Sequence, residues 1–132
     1  MKKLLNYEVN DIAGNKFTVL VVDDDPGIRE TMGDILNEMN FKVATANDGY
    51  QAIEMVQSGS FDAVVMDVKM PGLDGIEALK RIKGIKPGTR IILMTAYANE
   101  NIVLTAKKEG ASTVLYKPVD LDQVQKLLMN GK

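Results

Sequence analysis

The sequence predicts an α/β domain: a five-stranded parallel sheet with helices on both faces. Three observations predict it. Short apolar runs rich in β-branched residues recur along the chain, as strands buried on both faces require. Segments with apolar residues three and four apart alternate with those runs, as amphipathic helices require. Asp, Asn, Pro and Gly clusters separate the two kinds of segment. The 132 residues suffice for one core and not for two.

Residues 1–16 show neither periodicity and read as an N-terminal extension; the domain proper reads as 17–132. Phe17–Val22 is the first strand, stopped by Asp23-Asp24-Asp25-Pro26. Asp25 suits a helix cap and Pro26 a first helical turn; Ile28, Met32, Ile35, Leu36 and Met39 then form one apolar stripe. Lys42–Ala46 is a short second strand, and Asn47 or Asp48 caps a helix bearing Ala52, Ile53 and Val56. Ala63–Met66 is the third strand and ends at Asp67. A turn with Pro71, Gly72 and Gly75 leads into a helix with Ile76, Leu79 and Ile82, broken by Lys86-Pro87-Gly88. Arg90–Met94 is the fourth strand, ending at Thr95. A helix from about Asn99 to Glu109 stops at Gly110, a residue suited to a left-handed position. Thr113–Tyr116 is the fifth strand, ending at Lys117-Pro118, and Asp120 starts a last helix with Leu121, Val124, Leu127 and Leu128.

Composition narrows the chemistry. The chain has no Cys and no His, which excludes Cys- or His-ligated metal sites, a thiol nucleophile and a Ser-His-Asp triad. A metal must then be a hard ion on oxygen ligands, and acid–base work must fall to carboxylates, lysines or hydroxyls. A net charge of −2 gives no electrostatic footprint for nucleic acid or an anionic membrane. No apolar run approaches the roughly 20 residues that span a bilayer, and no signal-peptide h-region follows Met1-Lys2-Lys3-Leu4-Leu5. The expected location is the cytoplasm.

The polar residues fall at informative places. Asp23 and Asp24, Asp67, Thr95 and Lys117 each stand where a strand stops, at intervals of 44, 28 and 22 residues from Asp23 onward. That places all of them on the C-terminal edge of the sheet, where open α/β sheets bind ligands at the point of strand-order reversal. In a flavodoxin-like order 2-1-3-4-5 that point lies between strands one and three, which carry the aspartates. Three carboxylates in one crevice repel one another unless a cation joins them, and Mg2+ is the natural partner. With the Lys117 ammonium and the Thr95 hydroxyl they form a clamp for a phosphoryl group. Asp67 is the candidate nucleophile, because the adjacent Asp23 and Asp24 suit holding the ion.

These residues resemble the response-regulator receiver domain of two-component signalling. The resemblance covers about residues 17–130 and rests on VLVVDDDP at 19–26, VVMDVKMPGLDG at 64–75, ILMTAYA at 92–98 and YKP at 116–118, in the family's order and spacing. It implies that Asp67 accepts a phosphoryl group from a histidine kinase or phosphotransfer protein. It implies that Asp23, Asp24 and Asp67 organise Mg2+ together with the backbone carbonyl of Lys69, that Thr95 and Lys117 contact the phosphoryl oxygens, and that the Lys117–Pro118 bond is cis. It also implies a phosphoprotein that signals to a downstream partner protein and is not an enzyme beyond its own phosphorylation and dephosphorylation. The family often carries an aromatic residue three positions before the lysine; here Val114 stands there, and Tyr116 is out of register to replace it. Lys69 and Tyr97, each two residues after a site residue, are long enough to shield an acyl phosphate, so slow self-dephosphorylation is expected.

Within this reading a single-domain regulator or phosphorelay intermediate is favoured over the receiver piece of a longer DNA-binding regulator. A more distant alternative is a small haloacid-dehalogenase-type phosphatase with Asp23 as nucleophile and Asp25 as acid. It leaves Asp67 without a role, and only 15 residues follow Lys117 to supply that family's further acidic motif. The absence of histidine means that a phosphohistidine donor for Asp67 lies outside these residues.

Overall fold

A computed structural model describes residues 16–97 and 99–130. The extension expected over residues 1–16 lies, apart from Lys16, outside the described residues. The elements follow in the order β1 (Thr18–Val22), α1 (Pro26–Glu38), β2 (Lys42–Ala46), α2 (Gly49–Ser58), β3 (Ala63–Asp67), α3 (Gly75–Ile85), β4 (Arg90–Thr95), α4 (Glu100–Lys108), β5 (Thr113–Tyr116) and α5 (Leu121–Asn130). All sheet pairings are parallel and the strand order is β2-β1-β3-β4-β5, the order expected from the sequence.

The apolar strand runs work through their period of two. Leu20, Val22, Val64, Met66, Ile91 and Leu93 point to one face, where they pack with Ala52 and Val56 of α2, Leu79 and Ile82 of α3, and Ala106 of α4. Val19, Val21, Val65, Ile92 and Met94 point to the other, against Met32 and Leu36 of α1 and Val124 and Leu128 of α5. Helices therefore cover both faces, and β1, β3 and β4 are buried almost throughout.

Local signals set the helix ends. Asp25 caps α1 through Oδ1, which accepts from the amides of Gly27 and Ile28 at 2.9 and 3.3 Å. Of the two candidates before α2 it is Asp48 that caps, accepting from the Gln51 amide at 2.8 Å. Asp74 and Asn99 cap α3 and α4 in the same way. Gly110 has φ +112°, which is the left-handed region its position after α4 suggested. The third and fourth strands run one residue further than their apolar patterns, so that Asp67 and Thr95 are the last residues of β3 and β4. The sheet ladder, which is blind to side-chain polarity, continues through them: Asp67 pairs with Met94, and Thr95 with Tyr116.

Two side chains tie the opposite, N-terminal edge of the sheet. The Asp62 carboxylate accepts from the Thr18 amide at 2.8 Å and its hydroxyl at 3.2 Å, fixing the start of β1 beside β3. The Arg90 guanidinium donates to the carbonyls of Leu127 and Leu128 at 3.1 and 2.9 Å, partnering carbonyls that the last turn of α5 leaves without helical donors.

The C-terminal edge is held by a close approach at Gly75. Its amide donates to the Val68 carbonyl at 2.8 Å, and a Cβ at this position would fall on the Asp67 carbonyl oxygen and lie 2.9 Å from the Val68 Cα. Both obstacles are backbone and cannot swing away. At Gly84, on the same helix, an added methyl group would meet nothing within 4 Å. Gly75→Ala is therefore expected to destabilise the protein by about 1–3 kcal/mol, and Gly84→Ala to stabilise it by about 0.5–1 kcal/mol; urea unfolding of the two single variants checks the opposite signs.

Candidate functional site

The C-terminal edge of the sheet brings together the residues singled out from the sequence. Asp23 follows β1, Asp67 ends β3, Thr95 ends β4 and Lys117 follows β5. Asp23, Asp67 and Thr95 are buried, whereas Asp24 next to them is exposed. Lys117 reaches past β4, and its Nζ lies 3.0 Å from Asp23 Oδ2 and 3.1 Å from Asp67 Oδ2. The Lys117–Pro118 peptide bond is cis, as the resemblance implies.

The second carboxylate oxygens of Asp23 and Asp67, and the Thr95 hydroxyl, have local partners. Asp23 Oδ1 accepts from the Asp25 amide at 2.9 Å, which turns the chain sharply after β1. Asp67 Oδ1 accepts from the Lys69 amide at 3.3 Å. Thr95 Oγ1 accepts from the Tyr97 amide at 3.1 Å. The hydroxyl still has its proton to donate.

The electrostatics follow from burial. Burial pushes the Asp67 carboxyl above its ordinary value; the hydrogen bond and charge of Lys117 oppose that rise, and the nearby Asp23 charge adds to it. For Lys117 burial disfavours the charged form, but the hydrogen bonds and charges of Asp23 and Asp67 together outweigh it and raise the ammonium above its ordinary value. One ammonium thus serves two carboxylates, and the crevice retains an excess of negative charge.

Asp23, Asp24 and Asp67 can each present a carboxylate oxygen such that the three lie within 4.8 Å of one another. A set of three oxygen donors at that separation, without nitrogen or sulfur, fits a hard divalent cation. Asp25 is not among these three; its Oδ1 caps α1, accepting from the Gly27 and Ile28 amides. Lys69 and Tyr97 stand at the rim, with the Lys69 Nζ 5.4 Å from the centre of the Tyr97 ring.

Two residues beside this site escaped the sequence reading. Gly75 was legible only as part of a turn, because its contact with Asp67 is made through space between backbone atoms. Arg29 of α1 donates from Nη1 to the Asp23 carbonyl at 2.7 Å, and no spacing rule links a helical arginine to a carbonyl six residues earlier.

Comparison with known proteins agrees with the geometry. Residues 19–129 match the response regulator receiver domain. The chain is 39% identical over 107 residues to sporulation initiation phosphotransferase F of Bacillus subtilis, covering 81% of this chain and 86% of that protein. It is 40% identical over 114 residues to the transcriptional regulatory protein ZraR of Klebsiella oxytoca, where 86% of this chain spans only 26% of the longer protein. Among solved structures, the CheX–CheY–BeF3–Mg2+ complex from Borrelia burgdorferi superposes with a TM-score of 0.86 at 29% identity, over 96% of both chains. On its fold, its edge of carboxylates, hydroxyl and ammonium, and these matches, the chain belongs to the response regulator receiver domain family.

Proposed function

We propose that this receiver accepts a phosphoryl group on Asp67 from a phosphohistidine of a histidine kinase or phosphotransfer protein. The observation that carries the reading is the crevice in which Asp67 shares Lys117 with Asp23, with Asp24 and Thr95 beside it. In the transfer an Asp67 carboxylate oxygen attacks phosphorus, an O–P bond forms, and the N–P bond to the donor imidazole breaks. Asp23, Asp24 and Asp67 would hold Mg2+ with the Lys69 carbonyl. Bound there, the ion supplies positive charge to the phosphoryl oxygens as negative charge spreads over them. Lys117 and the Thr95 hydroxyl supply the chain's own donors to the same oxygens.

A groove of about 770 Å³ opens beside Lys117, lined by Ile28, Met32, Pro118, Val119 and Leu121. Its apolar walls and its continuity with Lys117 suit the apolar face of a donor helix carrying the phosphohistidine. The readout follows from Thr95: turning its hydroxyl toward the phosphoryl group draws on the loop held by the Tyr97 amide. That biases the surface of α4, β5 and α5, where Leu104 and Tyr116 are exposed, toward a second arrangement that a partner protein reads. Val114 is half-buried and packs against the core at the position where the family often carries an aromatic.

We read the chain as a cytoplasmic signalling domain working as a single-domain regulator or relay intermediate, a role supported by the match along most of the Bacillus phosphotransferase. The receiver part of a DNA-binding regulator is the second reading, favoured by the match to ZraR.

Incubation with Mg2+ and acetyl phosphate, followed by intact mass measurement, is expected to add one phosphoryl group to the protein and none to the Asp67→Asn variant. Labelling that survives in Asp67→Asn and disappears in Asp23→Asn would transfer the role to Asp23. The raised Asp67 carboxyl also predicts a stability effect in metal-free protein. Its folded-state value lies above the unfolded one, so stability falls as pH rises from the unfolded value through the folded value. At neutral pH Asp67→Asn is therefore expected to unfold at higher denaturant than the parent without Mg2+, and the gap to close toward acid pH. Finally, Lys69 and Tyr97 screen the acyl phosphate, so the Lys69→Ala/Tyr97→Ala double variant is expected to lose its phosphoryl group several-fold faster in a decay time course.

A further inference from the structure

We propose that Arg29 is a positioning residue that holds Asp23 and Asp24 in the spacing a divalent cation needs. The inference rests on the reading of those aspartates as cation ligands. Its basis is where the guanidinium goes. Arg29 sits on the second turn of α1, half-buried and close to an acidic crevice, yet its Nη1 donates to the main-chain carbonyl of Asp23 at 2.7 Å. Among the described residues it forms no ion pair with any carboxylate.

That carbonyl lies beyond the last ladder pair of β1, Val22 with Ala46, and before the first residue of α1. Among the described residues no backbone amide of sheet, helix or loop donates to it, and a buried carbonyl left unpaired is costly. Arg29 supplies the donor with a full charge behind it. The consequence reaches Asp24, because the Asp23 carbonyl and the Asp24 amide share one rigid peptide plane. Fixing the carbonyl fixes the direction in which the chain enters Asp24. The turn is then held at three points: Lys117 on Asp23 Oδ2, the Asp25 amide on Asp23 Oδ1, and Arg29 on the Asp23 carbonyl. A Mg2+ site with near-ideal octahedral demands tolerates little drift in such a turn.

Charge and positioning predict opposite signs, which makes the proposal testable. If Arg29 acted only as a nearby positive charge, removing it would tighten Mg2+ binding, and the effect would fade in salt. As a positioning residue, its removal loosens binding at every salt concentration. The experiment is calorimetric titration of Mg2+ into the full chain at low and high salt, for the parent, Arg29→Ala and Arg29→Lys. Arg29→Ala is expected to bind at least fivefold more weakly in both salts, and Arg29→Lys, which keeps a charged donor of similar reach, to recover most of the loss. In acetyl phosphate labelling, Arg29→Ala is expected to need more Mg2+ for half-maximal rate and to match the parent rate at saturation. Equal or tighter binding by Arg29→Ala, or failure of Arg29→Lys to recover, overturns the proposal. Arg29→Met, which keeps the apolar stem, replaces the alanine variant if circular dichroism shows that the latter does not fold. Absence of Mg2+ binding by the parent overturns the ligand reading as well, whereas normal parent binding with unaltered Arg29→Ala overturns this proposal alone.

Discussion

Two carboxylates pressed into the end of a parallel sheet repel each other and lose their water, and the ammonium of Lys117 is what lets Asp23 and Asp67 stay there. It bonds both at about 3 Å from a position with little exposure to solvent. The bridge joins the ends of β1, β3 and β5, and the last of these is separated from the others by β4. Removing the Lys117 ammonium would leave two carboxylates uncompensated, a loss on the order of 3–5 kcal/mol. The geometry of the C-terminal edge therefore depends on one side chain that arrives from the far end of the sequence.

The same bridge leaves the site electrostatically unfinished. One positive charge faces two buried carboxylates, with Asp24 adding a third at the surface. Burial pushes Asp67 toward its protonated form, and the neighbouring Asp23 charge adds to it. A protein selected for stability alone would not place these groups together, and local conflicts of this kind concentrate at functional sites. The rest of the domain absorbs the cost through two continuous apolar layers on either side of the sheet. The close packing of Gly75 against Asp67 and the hold of Arg29 on the Asp23 carbonyl stiffen the strand ends, so that the repelling groups cannot relax apart.

Much of this was legible in the chain. The alternation of apolar strand runs and helical stripes depends on periods of two and 3.6, which are local and survive without tertiary information. The aspartates, Thr95 and Lys117 were legible because each stands at the point where an apolar run ends, and parallel strands carry such points to one edge. The boundaries at Asp67 and Thr95 were harder, because ladder hydrogen bonds run on past the last apolar side chain. Asn47 and Asp48 could not be separated as caps for a similar reason: the choice depends on which carboxamide or carboxylate the turn aims at the helix amides.

By itself the sequence determined the class of fold, the edge on which the carboxylates, hydroxyl and ammonium gather and the kinds of groups found there, since all three follow from periodicity, residue type and the rule that parallel strands share a direction. Only the tertiary structure decided that Lys117 serves Asp23 and Asp67 at once, that Asp25 is spent on a helix end, that Gly75 admits no Cβ, and that Arg29 turns to a carbonyl instead of a carboxylate. The physical reason is range. Periodicity is written in neighbours along the chain, whereas each of these choices depends on where a backbone atom or a long side chain ends in space.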